Sequence, residues 1–593
     1  MVVLFVICLK IYYTEENSIV DFFAEREEVP MERKVAIGIQ SFDKLRVDNY
    51  FYVDKTSFIK EWWESGDDVT LIARPRRFGK TLNMSMLENF FSVQYANRGD
   101  LFEGLSIWQE EKYQKLQGTY PVISLSFADI KEQDYRSTKM EIFHILTDLY
   151  DRYHFLLESE LLSENEKKYF LSVSMEMEDF IATKAIHKLS GFLSRYYGKK
   201  VIILLDEYDT PMQEAYVQGY WDELVSFTRK LFHSTFKANP YLERAIMTGI
   251  TRVSKESIFS GLNNLEVVTF SSDKYATSFG FTEEEVFASL EEYNLGGEKE
   301  GVKQWYDGFV FGKYKDIYNP WSILNFLDKG TYGTYWANTS SNSLVSTLLR
   351  EGDKRLKLTF ERLLKGEIIR CSIEEQIGYN MLNGNETAVW SLLLASGYLK
   401  VLRCERIELV GDRPVLYDLA LTNYEVKRMF FGMVQNWFGS AGGNYNDFVD
   451  ALLRDDIEEM NAYMNRITRD VFSYFDTAKT PSESEPEKFY HGFVLGLMIE
   501  LVGEYMVTSN RESGFGRYDI MLEPVDKNKN AMIIEFKVHN PKKELSLEET
   551  VETALKQIEN KQYEASLIVK GFKAEHIKKY GFAFEGKNVL IGC

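Results

Sequence analysis

From Val69 the chain runs VTLIA, then a compact polar turn, then apolar residues at helical spacing in TLNMSMLENFF. That pattern predicts strand, loop, helix. Three more buried strands are expected: YPVISLSF from Tyr120 to Phe127, VIILLDEYDTP from Val201 to Pro211, and ERAIMTGITR from Glu243 to Arg252. Long amphipathic stretches separate them, including Met140 to Leu157 and Met177 to Tyr197. Continuous apolar strands alternating with helices predict a parallel sheet covered on both faces, an α/β fold.

After about Phe281 the pattern changes to FTEEEVFASLEEY, then WYDGFVFGKY, then mostly helical sequence to about Phe475. This reads as a lid and a helical middle region. The run Trp305, Tyr306, Asp307, Gly308 has no assigned chemistry and reads as a packed turn. TAKTPSESEPEK, Thr477 to Lys488, is polar and holds two prolines, the mark of a linker. Beyond it the expectation is a helix from Phe489 to about Val507, strands around Arg517 to Glu523 and Ala531 to Val538, a helix from Leu547 to Glu559, and strands near Ala565 and Phe582. At 593 residues the chain should hold two to four domains, each with its own core. The expected division is 1–30, a leader or mis-start; 31–280, a first α/β domain; 281–476, the helical lid and middle region; 477–486, the linker; and 487–593, a second α/β domain.

Composition refines this picture. Hydrophobic residues make up 45% and charged residues 27%, the balance of a globular protein. The net charge of -20 argues against a chain-wide nucleic-acid coat, though it permits a local basic stripe such as Lys573, Lys578, Lys579 and Lys587. A solvated face explains the same run. Four scattered cysteines form no disulfide framework, and a reducing, cytoplasmic setting fits them. Seven histidines show no HExxH or HxH spacing, so any metal here should have oxygen ligands. Met1 to Leu9 is apolar but shorter than the roughly 20 residues a bilayer needs, and no membrane partner is expected.

RPRRFGKT, Arg74 to Thr81, fits the right end of a P-loop frame. Backbone N–H groups of Arg77, Phe78 and Gly79 at a helix start would cradle phosphate oxygens. Lys80 would reach the β and γ phosphates of ATP, and Thr81 would join a Mg2+ shell. Glycine used only for tight packing would also produce GKT. A nucleotide site requires more, and VIILLDE supplies it: a buried parallel strand delivers Asp206 to hold magnesium and Glu207 to orient the attacking water. The next strand ends in Thr248, Gly249, Ile250, Thr251 and Arg252. Thr248 or Thr251 is the γ-phosphate sensor candidate, and Arg252 is a candidate charge-stabilising group.

RPRRFGKT, LLDEYDTP and TGITR, preceded by FYVDKT at Phe51 to Thr56, resemble the AAA-ATPase-like family of bacterial proteins that often carry a C-terminal PD-(D/E)xK domain. The resemblance covers about Met31 to Tyr275. Arg74 in place of the first P-loop glycine is similar to that family's own pattern.

Near the C-terminus SNRESGFGRYDIMLEP precedes AMIIEFKV. Residues two apart share a strand face, so Glu535 and Lys537 point the same way, and a hairpin sets Asp519 beside them. Two carboxylates for a hard cation and a lysine for the nucleophile or transition state suit phosphodiester hydrolysis. An ExK alone is also what a solvated strand face produces. The set resembles the PD-(D/E)xK nuclease superfamily, with Asp519, Glu535 and Lys537 at the motif positions. The resemblance further implies Gln557 as a supporting glutamine and Glu487 as an upstream acid, with Mg2+ or Mn2+ as cofactor. The superfamily's proline is replaced by Gly516, Arg517 and Tyr518 leading into the aspartate. His491 reads as a helix-packing histidine.

The leading functional expectation is an ATP-hydrolysing protein coupled to a nuclease domain acting on DNA or RNA. A homo-oligomer is left open, because AAA-like sites often borrow an arginine from a neighbour. The alternatives are a nucleotide-dependent switch or interaction protein that binds nucleic acid without cleaving it, and an ATPase with a purely structural tail.

Overall fold

The computed structural model describes residues 33–593 except 238, 252–257, 260, 338, 340–342, 352–353, 376–378, 380–381, 383–384, 406–414, 440–445, 472–493, 495–497, 502–503, 510–511, 515 and 586–587. The expected leader, the linker, Arg252, Glu487, His491 and Lys587 therefore lie outside the described residues.

Strands with no polar face need cover on both sides. Five form the first sheet: β1 (Val69–Ala73), β2 (Val122–Ser126), β3 (Val201–Asp206), β4 (Leu242–Gly249) and β5 (Leu265–Val268). They run parallel in the order β2-β3-β4-β1-β5. Alternate side chains of β3 enter opposite cores. Ile203 and Leu205 pack with helices Tyr135–Arg152, Asp179–Tyr197 and Trp221–Phe236, while Ile202 and Leu204 pack with Lys80–Phe91. The expected third strand is shorter than read, because Thr210–Gln218 is a helix with Pro211 in its first turn. LEVV of β5 is too short to carry a periodic signal and was not expected.

The middle region holds the expected helices, among them Glu283–Glu292, Pro320–Lys329, Lys354–Leu364, Glu386–Ala395 and Tyr424–Gly439. It also holds two small antiparallel sheets that a helical reading missed. One joins Phe281–Thr282, Tyr314–Tyr318 and Phe309–Phe311; the other joins Leu399–Glu405, Leu416–Leu421 and Ile369–Ser372. The second sheet and its helices share one core with the Lys80–Phe91 side of the parallel sheet. Trp305 packs in this region, stacked on Tyr332 and edge-on to Tyr424.

The C-terminal sheet has the order Tyr505–Ser509, Ile520–Pro524, Ala531–Val538, Ile577–Glu585, Asn588–Gly592. Its central pair, Ala531–Val538 with Ile577–Glu585, is parallel and the rest antiparallel. Helix Leu547–Asn560 makes the crossover, lying so close that a Cβ on Gly581 would sit 2.8 Å from the Val551 carbonyl oxygen. The other face is covered by Asn446–Leu453 and Ile457–Val471, so this core draws on helices from the segment 281–476. Two readings are corrected here. Ala565–Val569 is a helix, its short apolar run being ambiguous in period, and Tyr505–Val507 belongs to a strand rather than a helix. Among the described residues no helix is long and apolar enough to cross a membrane.

Candidate functional site

The parallel sheet brings the C-terminal ends of β1, β3 and β4 together, with Ala73 beside Gly249 and Leu205 beside Met247. The chain leaving β1 is held by an Arg74 N–H to Gly249 carbonyl bond of 3.1 Å. Arg77 (φ 64°) and Gly79 (φ 78°) then take left-handed backbone so that a helix can start at Lys80. Lys80 is buried, and its Nζ donates to the Arg74 and Pro75 carbonyls at 3.1 and 2.9 Å. Burial pulls its pKa down, opposed by the charges of Glu207, Asp206 and Asp209.

Thr81 Oγ1 donates to Asp206 Oδ2 at 2.6 Å, and Thr248 Oγ1 donates to Asp206 Oδ1. Burial raises the Asp206 pKa while the two hydroxyls and Lys80 oppose it. Glu207 follows with φ 49°; its N–H donates to Thr248 Oγ1 at 3.2 Å and its carboxylate accepts from Thr210 Oγ1 at 3.1 Å. Of the two sensor candidates, Thr248 is the one brought to Asp206. Thr251 is engaged elsewhere: its Oγ1 donates to Asp209 Oδ2 at 3.1 Å and lies 3.0 Å from the Tyr379 hydroxyl. Asp209, which sequence reasoning passed over, is buried and also accepts the N–H groups of Ile250 and Thr251 at 2.9 Å. A third acid in LLDEYDTP was the signal available.

The P-loop arginines differ. Arg74 is fully buried; Nη1 donates to the Ala73 and Thr269 carbonyls, and its guanidinium lies 4.3 Å from the Phe311 ring centre. Burial brings its pKa down to about 9. Arg77 is exposed and lies 4.3 Å above the Trp321 ring. Arg76 Nη2 donates to Gln213 Oε1 at 3.3 Å, while the Arg76 carbonyl accepts from Asn319 Nδ2 at 3.3 Å and Trp336 Nε1 at 3.0 Å. The Phe78 side chain is turned into the core against Phe309 and Phe311, so what Phe78 can offer a phosphate is backbone. FYVDKT lies apart from this cluster as a structural knot: Lys55 pairs with Glu285 at 2.6 Å, and Asp54 accepts from Thr56 and Ser106.

In the C-terminal domain Asp519 sits one residue before the Ile520–Pro524 strand, and the register continues from Ile520 opposite Ile534 to bring it beside Glu535. Asp519 Oδ2 accepts the Phe536 N–H at 2.8 Å. Burial raises the Asp519 pKa, opposed by that bond and by the charges of Lys537 and Lys365. Glu535 is buried; its Oε1 accepts from Lys537 Nζ at 3.2 Å and from Gln557 Nε2. Gln557 is in turn bonded to the Tyr563 hydroxyl at 3.1 Å, a supporting contact the sequence did not indicate. The expected four residues thus meet in one place. Thr81 with Asp206, and Asp519 with Glu535, are oxygen donors of the kind a hard cation takes. Among the described residues no group of three or more His, Cys, Asp or Glu stands ready for a metal.

Residues 36–259 match the family model for a predicted AAA-ATPase, and residues 485–592 match the model for the PD-(D/E)XK nuclease superfamily. The chain is thus similar to predicted AAA-ATPases over its N-terminal part and to the PD-(D/E)XK nuclease superfamily at its C-terminal end. Among curated proteins it is similar to the uncharacterized protein in vnfD 5'region of Azotobacter chroococcum mcd 1, at 27% identity over 397 residues, covering 67% of this chain and 68% of the relative. Among solved structures it is similar to that of the Aeropyrum pernix ORC2 protein (ADPNP-ADP complexes). That match covers 64% of this chain and 93% of the other at 9% identity, with a TM-score of 0.24.

Proposed function

We propose that residues 31–280 bind and hydrolyse ATP with Mg2+, and that nucleotide state there governs a metal-dependent phosphodiesterase site in 487–593 acting on DNA or RNA. The observation that carries this reading is the capture of Asp206 between the Thr81 and Thr248 hydroxyls, within reach of the Lys80 charge. That is where a nucleotide-bound cation needs its oxygen donors. Thr81 and Asp206 would hold magnesium, which when bound would neutralise phosphate charge. The chain's own residues divide the rest: Lys80 binds phosphate, Thr248 senses it, and Glu207 orients water. In the second site Asp519 and Glu535 would hold Mg2+ or Mn2+, Lys537 would stabilise the phosphoryl charge, and Gln557 orients Glu535.

The paired lysines favour a second reading. Lys578 is bound to Asp455 at 2.6 Å, Lys579 to Glu564 at 3.2 Å and Lys573 to Glu575 at 3.5 Å, which leaves little of the stripe for phosphates. A nucleotide-dependent switch whose nuclease-like domain does not cleave fits that distribution.

The test is incubation of the purified full chain with Mg2+ or Mn2+ and single-stranded, duplex or branched DNA, or RNA, with and without ATP. Cleavage should disappear in Lys537→Ala and should no longer respond to ATP in Lys80→Ala, while ATP binding should disappear in Lys80→Ala and persist in Lys537→Ala. ATP hydrolysis without cleavage of any substrate favours the switch. Undiminished ATP binding in Lys80→Ala would overturn the nucleotide half.

A further inference from the structure

The sequence RPRR offers three arginines around one phosphate-binding turn, and the fold gives them different surroundings. Arg74 is fully buried, its Nη1 bonded to the Ala73 and Thr269 carbonyls. Arg77 lies over Trp321. Arg76 reaches the helix that follows β3: its Nη2 meets Gln213, on the helix whose first residue, Thr210, donates to the Glu207 carboxylate. After burial and the nearby carboxylates, the Arg76 charge also acts on Lys80, helping to hold that ammonium below its ordinary value. The guanidinium therefore stands near Lys80, on the Glu207 side of the candidate phosphate site.

Its partner is a neutral amide rather than a carboxylate. The contact engages one donor of a planar group that has five, and the charge stays available to an anion. The Arg76 backbone, by contrast, is held by side chains of the middle region. Asn319 and Trp336, both buried, each donate to the Arg76 carbonyl. The segment holding Trp336 is itself fixed, since Glu425 accepts the Trp336 and Ala337 N–H groups and the Ser322 hydroxyl. The middle region thus fixes the point from which the Arg76 side chain emerges.

We propose that Arg76 is a terminal-phosphate ligand supplied in cis, which leaves Gln213 to bind the terminal phosphoryl oxygens when a nucleoside triphosphate is present. It neutralises charge developing there, so the site needs no arginine from a second copy of the chain. This rests on the nucleotide-binding reading above, and a bidentate guanidinium on phosphate is the geometry such charge stabilisation uses.

The experiment compares the full-length chain with Arg76→Ala, Arg76→Lys and Gln213→Ala. It measures affinity for ADP and for a non-hydrolysable ATP analogue with Mg2+, and ATP turnover over a range of protein concentrations. Arg76→Ala should lower analogue affinity about 10-fold and turnover by about 10³-fold, with ADP affinity within about 3-fold of wild type. Arg76→Lys should restore part of the analogue affinity, Gln213→Ala should retain the ATP-over-ADP preference, and wild-type turnover per chain should not depend on protein concentration. Unchanged turnover and analogue preference in Arg76→Ala overturn the proposal, as does an equal loss of ADP and analogue affinity, or turnover that rises steeply with concentration. A wild-type chain that binds neither nucleotide refutes the nucleotide-binding reading along with it. If wild type binds nucleotide without turnover, hydrolysis falls and the analogue-to-ADP ratio alone decides Arg76.

Discussion

Glu425 shows how much one buried carboxylate sets in this molecule. It is almost fully buried, accepts from Trp336, Ala337 and Ser322, and burial pushes its pKa up from 4.5 to about 7. A folded-state value above the unfolded one means the native state holds the proton more tightly. The stability this supplies is complete below pH 4.5 and is lost as pH rises through about 7. Glu425→Gln stays neutral throughout, so its stability relative to wild type should improve from pH 5 to pH 8 by at most about 3 kcal/mol. Denaturant melts at several pH values check this, and parallel pH profiles for the two proteins would contradict it. Glu425 carries no signal in the sequence, where it is one acid in a helical run. Lys80, Thr81 and Asp206 were legible there because phosphate chemistry demands those residue types at those places. Asp209 was passed over because its partners, the N–H groups of Ile250 and Thr251, belong to the bend after β4, 41 residues or more away.

At the scale of elements, helix Tyr424–Gly439 has a part no local pattern reveals. Glu425 near its start anchors the segment that grips the P-loop, Phe430 packs on Phe360 with ring centres 5.1 Å apart, and Val434 touches both the ATPase-side core and the C-terminal core. Val434→Ala should destabilise the chain by about 1 kcal/mol while leaving ATP affinity near wild type. Thermal melts followed beside nucleotide titration read both quantities; an unchanged melt would remove Val434 from the junction. Four strands of the parallel sheet were readable because each carries an apolar run, whereas the short β5, half-exposed, was not. Those of the middle region were not, since Leu399–Glu405 reads LKVLRCE and Leu416–Leu421 reads LYDLAL, short mixed runs that helical and strand periods both accommodate.

Across the whole molecule, Lys365 of the middle region acts on Asp519 of the C-terminal domain. Its charge favours the ionised carboxylate that a cation needs, so removing it should raise the Asp519 pKa further. Under the proposed phosphodiesterase reading, Lys365→Ala is therefore expected to move the acid limb of the pH profile to higher pH, measured as initial rate against pH. An unmoved limb would detach the two regions electrostatically. By itself the sequence determined the parallel α/β sheet, the two families, and the residue types that gather at each candidate site, because buried strands and phosphate or metal chemistry impose short-range patterns. Only the tertiary structure decided which threonine faces Asp206, where each P-loop arginine goes, and that helices Asn446–Leu453 and Ile457–Val471 complete the C-terminal core. Those outcomes depend on which distant side chains burial brings within a few ångströms, and no spacing along the chain encodes that.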